Sequence, residues 1–567
     1  MGELDEAVRG VNDLRAVGQQ LTGFDAATWR TASVDRSMRS TVVAVLLFER
    51  APDWKRLRAR FDRLTRMVPV LRERPLFGAV GVSAPRMAVD PEFDLDIHLR
   101  RFQLIPGSGW DEVLAEARRM SLTDFDHARP LWEAVLVEGL PDGRAAIIMK
   151  LHHAIADGQG AVLIGLNLFE FTPDGNPDEP EAPPAPIGED VSITSVSKAN
   201  IQDNLSRAFD AAVKGAKIVA DFAVGSVKAP QETIGEAVDM ASSLGKFAAV
   251  PESSLSPLMN RRSDMYRFAT FELPFDEIKR ISKERGDTVN DTFLGAVTTG
   301  LAAYHERHGK SAERLRFNIP ISLRTTVKDG SSANAVTIAR LELPVSDLSI
   351  RERIDSAHDE VRRWRDEPAL TLVNPLAEAS WVLPVPMLAS VARTSDITVS
   401  NVPGPPVPIY VGGAQLIGTW PLVPTVGAAA NITLVTYDGT AYIGVSADQA
   451  AVPDIEDFIG DLRAGFDRVL AGKPAGVTND PGETAVKQKA RRAKRAAGKT
   501  AKVAKASAKR VTRSSKKSTA KKSTAKKSTA KKSTAKKSTA KKSTAKKSTA
   551  KKSTAKKSTA KKSTAKK

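Results

Sequence analysis

The last stretch of the chain cannot build a core. Between Thr484 and Lys567 it runs through RRAKRAAGK into ten copies of KKSTA and a final KK, with 34 lysines and arginines and no aspartate or glutamate. A five-residue period matches neither the 3.6-residue helical turn nor the two-residue strand alternation, and the repeat has no apolar side chain larger than alanine. Such a segment cannot offset its ordering entropy and is expected to be disordered. The period is also too short for a solenoid unit. Folding therefore falls to residues 1–483. The whole chain of 567 residues has 85 basic and 66 acidic side chains, a net +19; with the 34 tail cations set aside, 51 basic groups face 66 acidic ones, a net −15. An acidic body carries a basic tail.

The body is long enough for two or three domains with real cores. It has no cysteine, which excludes disulfides, thiolate-bound zinc and a cysteine nucleophile, and fits a reducing compartment. The opening MGELDEAVRG is acidic where a signal peptide is basic. No apolar run reaches the roughly 20 residues of a membrane helix. These features predict a cytosolic or membrane-peripheral protein.

A Pro- and acid-rich stretch, PDGNPDEPEAPPAPIGED, opens a break at 173–198. It separates an N-terminal part, 20–172, from a C-terminal part, 264–473. The intervening 173–263 combines this linker with apolar positions at helical spacing over 200–248, read as amphipathic crossover helices. Pro141-Asp142-Gly143 and Asp438-Gly439 each lie between two apolar runs and predict β-hairpins. Periodicity predicts helices over 53–67, 111–121, 159–170, 276–285, 289–307, 349–365 and 454–470, and strands over 265–273, 315–323, 334–345 and 396–401. The reading is α+β: two comparable halves of mixed sheets with flanking helices.

Chemistry concentrates at LHHAIADG, residues 151–158, where two of seven histidines stand side by side. The motif follows an apolar strand and precedes a helical pattern, so it occupies a strand-to-helix turn. Consecutive strand residues point to opposite faces, and only one histidine is therefore expected to face a cleft while the other packs. A zinc site would need more ligands than His153 and Asp157, and neither HExxH nor another histidine cluster supplies them. Two structural histidines are the bland alternative. The Asp-Gly that follows favours a built turn, in which Gly158 permits a positive φ and Asp157 anchors its neighbours. Neutral imidazole is a competent base near neutral pH, and proton abstraction is the role these residues favour.

The HHxxxDG pattern resembles the acyl-CoA-dependent acyltransferase superfamily that includes chloramphenicol acetyltransferase and peptide-synthetase condensation domains. Further ordered segments narrow the likeness: FDLDIHLRR at 93–101, LTDFDHARPLWEAVLVEGL at 122–140, VNDTFLGAV at 289–297, NIPISLR at 318–324 and VSNVPGP at 399–405. Together with the histidine motif they resemble the bacterial wax ester synthase/diacylglycerol acyltransferase family across about residues 20–473. The resemblance implies two chloramphenicol-acetyltransferase-like halves and acyl transfer from a long-chain acyl-CoA to diacylglycerol or a long-chain alcohol. Acyl-CoA is then a substrate, with no cofactor and no metal. His153 becomes the general base, His152 its supporting neighbour and Asp157 an orienting group. Pro130, Leu131 and Trp132 match a PLW element thought to shape the substrate site; a corner packed by Trp132 explains them equally. Asn290 and Asp291 match an ND element whose bland reading is an acidic first helical turn. Ser322 and Arg324 would lie near the interface of the halves, although a surface ion pair explains Arg324 equally. Where the family usually has Gly-Asn, this chain has Ala333-Asn334.

Residues 368–392, with one charge and four prolines, read as a core or channel segment, or as a membrane-facing patch. The tail fits an anionic membrane or droplet surface. It also fits nucleic acid by counterion release, although no aromatics interleave its lysines for base stacking. Two competing functions stay open: an acyltransferase of the same superfamily acting on a secondary-metabolite alcohol, and a non-catalytic protein that binds lipid surfaces or nucleic acid.

Overall fold

The computed structural model describes residues 20–470, apart from 22, 79–83, 156–163, 166, 189–190, 192, 198, 202, 204–252, 323–335 and 367–391. Asp157, Gly158, Arg324, Ala333-Asn334, most of the 200–248 crossover, nearly all of the 368–392 segment and the basic tail lie outside the described residues. In chain order the N-terminal part runs through α1 (Gly23–Val34), β1 (Thr41–Phe48), α2 (Trp54–Met67), β2 (Glu73–Leu76), β3 (Arg86–Val89), α3 (Leu95–His98), β4 (Leu99–Gln103), α4 (Trp110–Leu122), β5 (Trp132–Glu138) and β6 (Ala145–His152). The C-terminal part continues with β7 (Tyr266–Pro274), α5 (Phe275–Arg285), α6 (Val289–Arg307), β8 (Arg314–Ser322), β9 (Val336–Pro344), α7 (Ile350–Arg365) and β10 (Ile397–Val402). It closes with β11 (Tyr410–Val411), β12 (Ala414–Leu422), β13 (Ala430–Tyr437), β14 (Thr440–Asp448) and α8 (Ile455–Val469).

Both Asp-Gly turns close antiparallel hairpins, β5–β6 and β13–β14. Asp142 and Asp438 sit at φ 61° and 48°, each followed by a glycine also at positive φ. Two successive left-handed residues give a turn whose twist suits a tight hairpin, and Asp is among the few non-glycine residues that tolerate it. The helices start where side-chain acceptors stand ready. Asp53 takes the Arg56 N–H at 2.8 Å, and the pairs Thr288/Asp291 and Ser349/Glu352 form capping boxes. Of the helix predicted over 159–170, the described part includes helical residues 164–165 and 167–168.

Two six-stranded mixed sheets result, ordered β11-β12-β1-β6-β5-β4 and β7-β14-β13-β10-β8-β9. Each covers its own apolar core. One gathers Phe48, Phe61, Trp132 and Ile148, the other Phe293, Phe317, Ile432 and Phe458, all essentially buried. Burial of each such side chain is worth roughly 1.5–3 kcal/mol. The fold is thus α+β with two sheet-centred halves. The division of the chain is crossed in space, however: β11 and β12 come from the C-terminal part yet complete the first sheet, β12 pairing antiparallel with β1 from Val43↔Leu422 to Phe48↔Leu416.

That exchange draws the sheets together. Trp420 of β12 packs against Trp110 and Tyr442, ring centroids 4.7 and 5.2 Å away. The Tyr442 and Tyr437 hydroxyls donate to the Ile417 and Leu416 carbonyls, both at 2.8 Å. A Cβ at Gly444 of β14 would stand 1.8 Å from the Pro421 carbonyl oxygen, so only glycine permits this approach. Among the described residues no helix is long and apolar enough to cross a membrane.

Candidate active site

His152 ends β6 and His153 opens a single 3-10 turn, His153–Ile155. The backbone there is anchored on both sides. The His152 N–H donates to the Leu131 carbonyl at 3.0 Å, and the His153 N–H donates to the Ser40 carbonyl at 2.7 Å. A third bond closes the turn on itself: the Ala154 N–H donates to Nδ1 of His152 at 3.1 Å. An acceptor Nδ1 must be unprotonated, so the first histidine holds the turn as a neutral ring. Ser40 immediately precedes β1, where Thr41 faces His152 across the ladder.

The two imidazoles have different surroundings. His152 is buried, its ring 4.9 Å from Trp29 and 6.0 Å from Phe125, the latter edge-on. His153 is half-buried. Two positions before His152, Lys150 is fully buried on the same face of the strand, since alternate strand residues share a face. Its Nζ lies 2.9 Å from Oε1 of Glu133 and 4.1 Å from the centre of the Phe125 ring. Burial pushes the lysine pKa down, and the pairing with Glu133 partly offsets this.

The PLW element divides its work. Pro130 and Leu131 are buried, and the Leu131 carbonyl anchors His152. Trp132 pairs with Leu151, so its side chain leaves the sheet on the face opposite His152 and Lys150. There it stacks on Phe61 and His98, and its Nε1 donates to the Leu71 carbonyl at 2.7 Å. The indole is a core group, and the His98 Nδ1–H donates to the Trp132 backbone carbonyl at 2.7 Å.

Asn290 and Asp291 open α6, in the helical layer of the second sheet. Asp291 accepts from the Thr288 N–H at 3.0 Å and faces Nδ1 of His358 at 3.0 Å. Its carboxylate is occupied with the helix start, and the described structure gives it no contact with the histidine turn. Ser322 ends β8, opposite Val336.

Sequence reasoning missed several groups that surround the turn. Lys150 carried a legible signal, a lone cation in the apolar run AAIIMKLHH. Phe125 and Trp29 carried none, since each is an ordinary core-type aromatic until the chain folds. Nor did the pairing of Arg393 with Asp35 at 2.6 Å. Asp35 also accepts from the Ser37 N–H and hydroxyl at 3.0 and 2.8 Å. The ion pair therefore ties the C-terminal part to the loop that ends in Ser40. Among the described residues no group of three His, Cys, Asp or Glu side chains could hold a metal ion.

The arrangement is a half-buried imidazole on a turn anchored by backbone hydrogen bonds to Leu131 and Ser40. Comparison with known proteins places it. Residues 21–293 match the family model described as the wax ester synthase/diacylglycerol acyltransferase catalytic domain, and residues 332–469 match the C-terminal domain of the same family. A Mycobacterium tuberculosis protein named, provisionally, as a diacylglycerol O-acyltransferase is 32% identical over 448 residues, covering 77% of this chain and 89% of its own. The solved wax ester synthase/diacylglycerol acyltransferase from Marinobacter aquaeolei VT8 superposes with a TM-score of 0.53 at 18% identity, covering 79% of this chain and 98% of its own. The first condensation domain of the calcium-dependent antibiotic synthetase gives 0.52 at 17% identity, covering 82% and 99%; these two likenesses speak to the fold. Family models and the mycobacterial relative together establish that the chain belongs to the wax ester synthase/diacylglycerol acyltransferase family of acyltransferases.

Proposed function

We propose that this protein transfers a long-chain acyl group from acyl-CoA to the hydroxyl of diacylglycerol, forming triacylglycerol, with a long-chain alcohol as a second acceptor that would give wax ester. The observation that carries the reading is the half-buried His153 on a turn anchored to Leu131, Ser40 and His152, inside the segment matched by the family's catalytic model. The names of the mycobacterial relatives favour diacylglycerol as acceptor.

In this mechanism His153 takes the hydroxyl proton as the acceptor oxygen attacks the thioester carbonyl. The tetrahedral intermediate collapses with cleavage of the C–S bond, and the imidazolium returns the proton to the departing sulfur. Asp157 would orient the site and Gly158 would permit the turn, and the hydrogen bonds that anchor the His153 backbone favour the orientation such a transfer needs. Purified protein incubated with palmitoyl-CoA and either diacylglycerol or hexadecanol, followed by resolution of the neutral lipids, tests the reading. Triacylglycerol formation supports it. Hydrolysis to free palmitate alone, or no consumption of the thioester, would overturn it.

The basic tail serves in this proposal as an electrostatic tether to an anionic lipid surface. The body carries net −15 and the tail +34, and polybasic segments gain roughly 1 kcal/mol per nearby cation at such surfaces. Truncation after Gly482 is expected to abolish salt-sensitive binding to phosphatidylserine vesicles while turnover on detergent-dispersed substrate persists. Equal vesicle binding by both forms would remove the tether, and preference of the tail for DNA over such vesicles would favour nucleic acid as its partner.

A further inference from the structure

We propose that Lys150 is a positioning residue for the histidine turn, acting through the ring of Phe125 on His152. The inference rests on the reading of His153 as the base. Three observations converge on it. Lys150 and His152 alternate along β6 and so leave the same face of the strand. Phe125 bridges them: its face lies 4.1 Å from the lysine Nζ, and its ring stands edge-on to the imidazole at 6.0 Å. His152 in turn accepts the Ala154 N–H on Nδ1 and so fixes the turn that begins at His153.

The physical logic runs from charge to geometry. A buried ammonium is expensive unless paired, and this one meets Glu133 at 2.9 Å, the Asp124 carbonyl at 3.5 Å and the π-face of Phe125. Glu133 is itself held from outside by Arg100 at 3.0 Å. The cation draws the negative face of the ring toward it. The phenyl and imidazole planes stand 65° apart, an edge-to-face arrangement that such contacts favour. Trp29 closes the other side at 4.9 Å. The imidazole plane is thereby set by Phe125 and Trp29, and the Nδ1 lone pair is aimed at the Ala154 N–H. A hydrophobic residue at position 150 would fill the space but leave Phe125 free to rotate. The turn would then present His153 imprecisely.

A double-mutant cycle tests the relay. Lys150→Met and Phe125→Leu, singly and together, are compared by kcat, KM for palmitoyl-CoA and Tm, with Val137→Ala in the core of β5 as a destabilised control. Each single variant is expected to lose about 10- to 100-fold in kcat, the scale of a small misplacement of a reacting group, with KM changed by less than about twofold. The double variant is expected to lose no more than the worse single one, because both remove the same device. Additive losses, or losses in kcat that merely track Tm as in Val137→Ala, would overturn the proposal. Phe125→Leu carries the test alone if Lys150→Met yields no folded protein: unchanged kcat in that variant overturns it. His153→Ala, assayed in parallel, separates the two levels. Full activity there removes the base itself, whereas an inactive His153→Ala with additive Lys150 and Phe125 effects removes only the relay.

Discussion

At the scale of single residues, one strand shows how much alternation decides. Trp132 and Leu151 share one face of the first sheet, while Glu133, Lys150 and His152 share the other. The tryptophan of the PLW element therefore belongs to the core packed by Phe61 and His98, and its neighbour Leu131 meets the histidine turn through its backbone carbonyl. Trp132→Phe is expected to lower stability by about 1–3 kcal/mol, since it removes the Nε1–H donor from the buried Leu71 carbonyl. Its kcat at a temperature where the variant is folded should stay near that of the parent. A large fall in kcat without loss of Tm would instead place the indole in the substrate path. The histidine turn was legible in the sequence because its residue types are rare and adjacent. The aromatic box around His152 was not, because Trp29 and Phe125 come to it from α1 and from the loop after α4, and no local pattern encodes their meeting.

At the scale of elements, periodicity and turn chemistry were strong guides. Both Asp-Gly hairpins formed as the sequence implied, and α2, α4, α5, α6, α7 and α8 begin and end within a residue or so of their predicted bounds. What local pattern does not encode is sheet membership. The apolar stretch of β12 reads the same whichever sheet it joins, and only the tertiary partners Val43 to Phe48 decide. The junction of α6 and α7 carries a pH signature. The His358 Nδ1–H donates to Asp291, the capping carboxylate of α6, and this bond raises the histidine pKa above its ordinary value. A raised histidine stabilises the fold fully below the unfolded value of about 6.5 and loses that contribution as pH rises through the folded pKa. His358→Ala should therefore lower Tm more at about pH 5.5 than at about pH 8.5. A Tm difference independent of pH would show that the bond carries no ionic component.

At the scale of the whole body, two sheets with separate cores are joined by the exchanged strands β11 and β12, by the glycine contact of Gly444 with Pro421, and by the Asp35–Arg393 pair beside the histidine turn. The C-terminal part thus braces the loop whose Ser40 carbonyl accepts the His153 N–H. The family was legible from ordered motifs spread over both halves, and the comparisons agree with it. The exchange of strands between the halves was not, because it rests on contacts between residues hundreds of positions apart. The most direct test of the central claim is the rate of palmitoyl transfer to diacylglycerol by His153→Ala against the parent, with Tm and circular dichroism recorded on the same samples. Loss of a general base typically costs about 10²–10⁴ in rate, and a fall of that size with an unchanged Tm is the expected result. Triacylglycerol formation within about threefold of the parent rate, far short of that loss, would contradict a general-base role for His153.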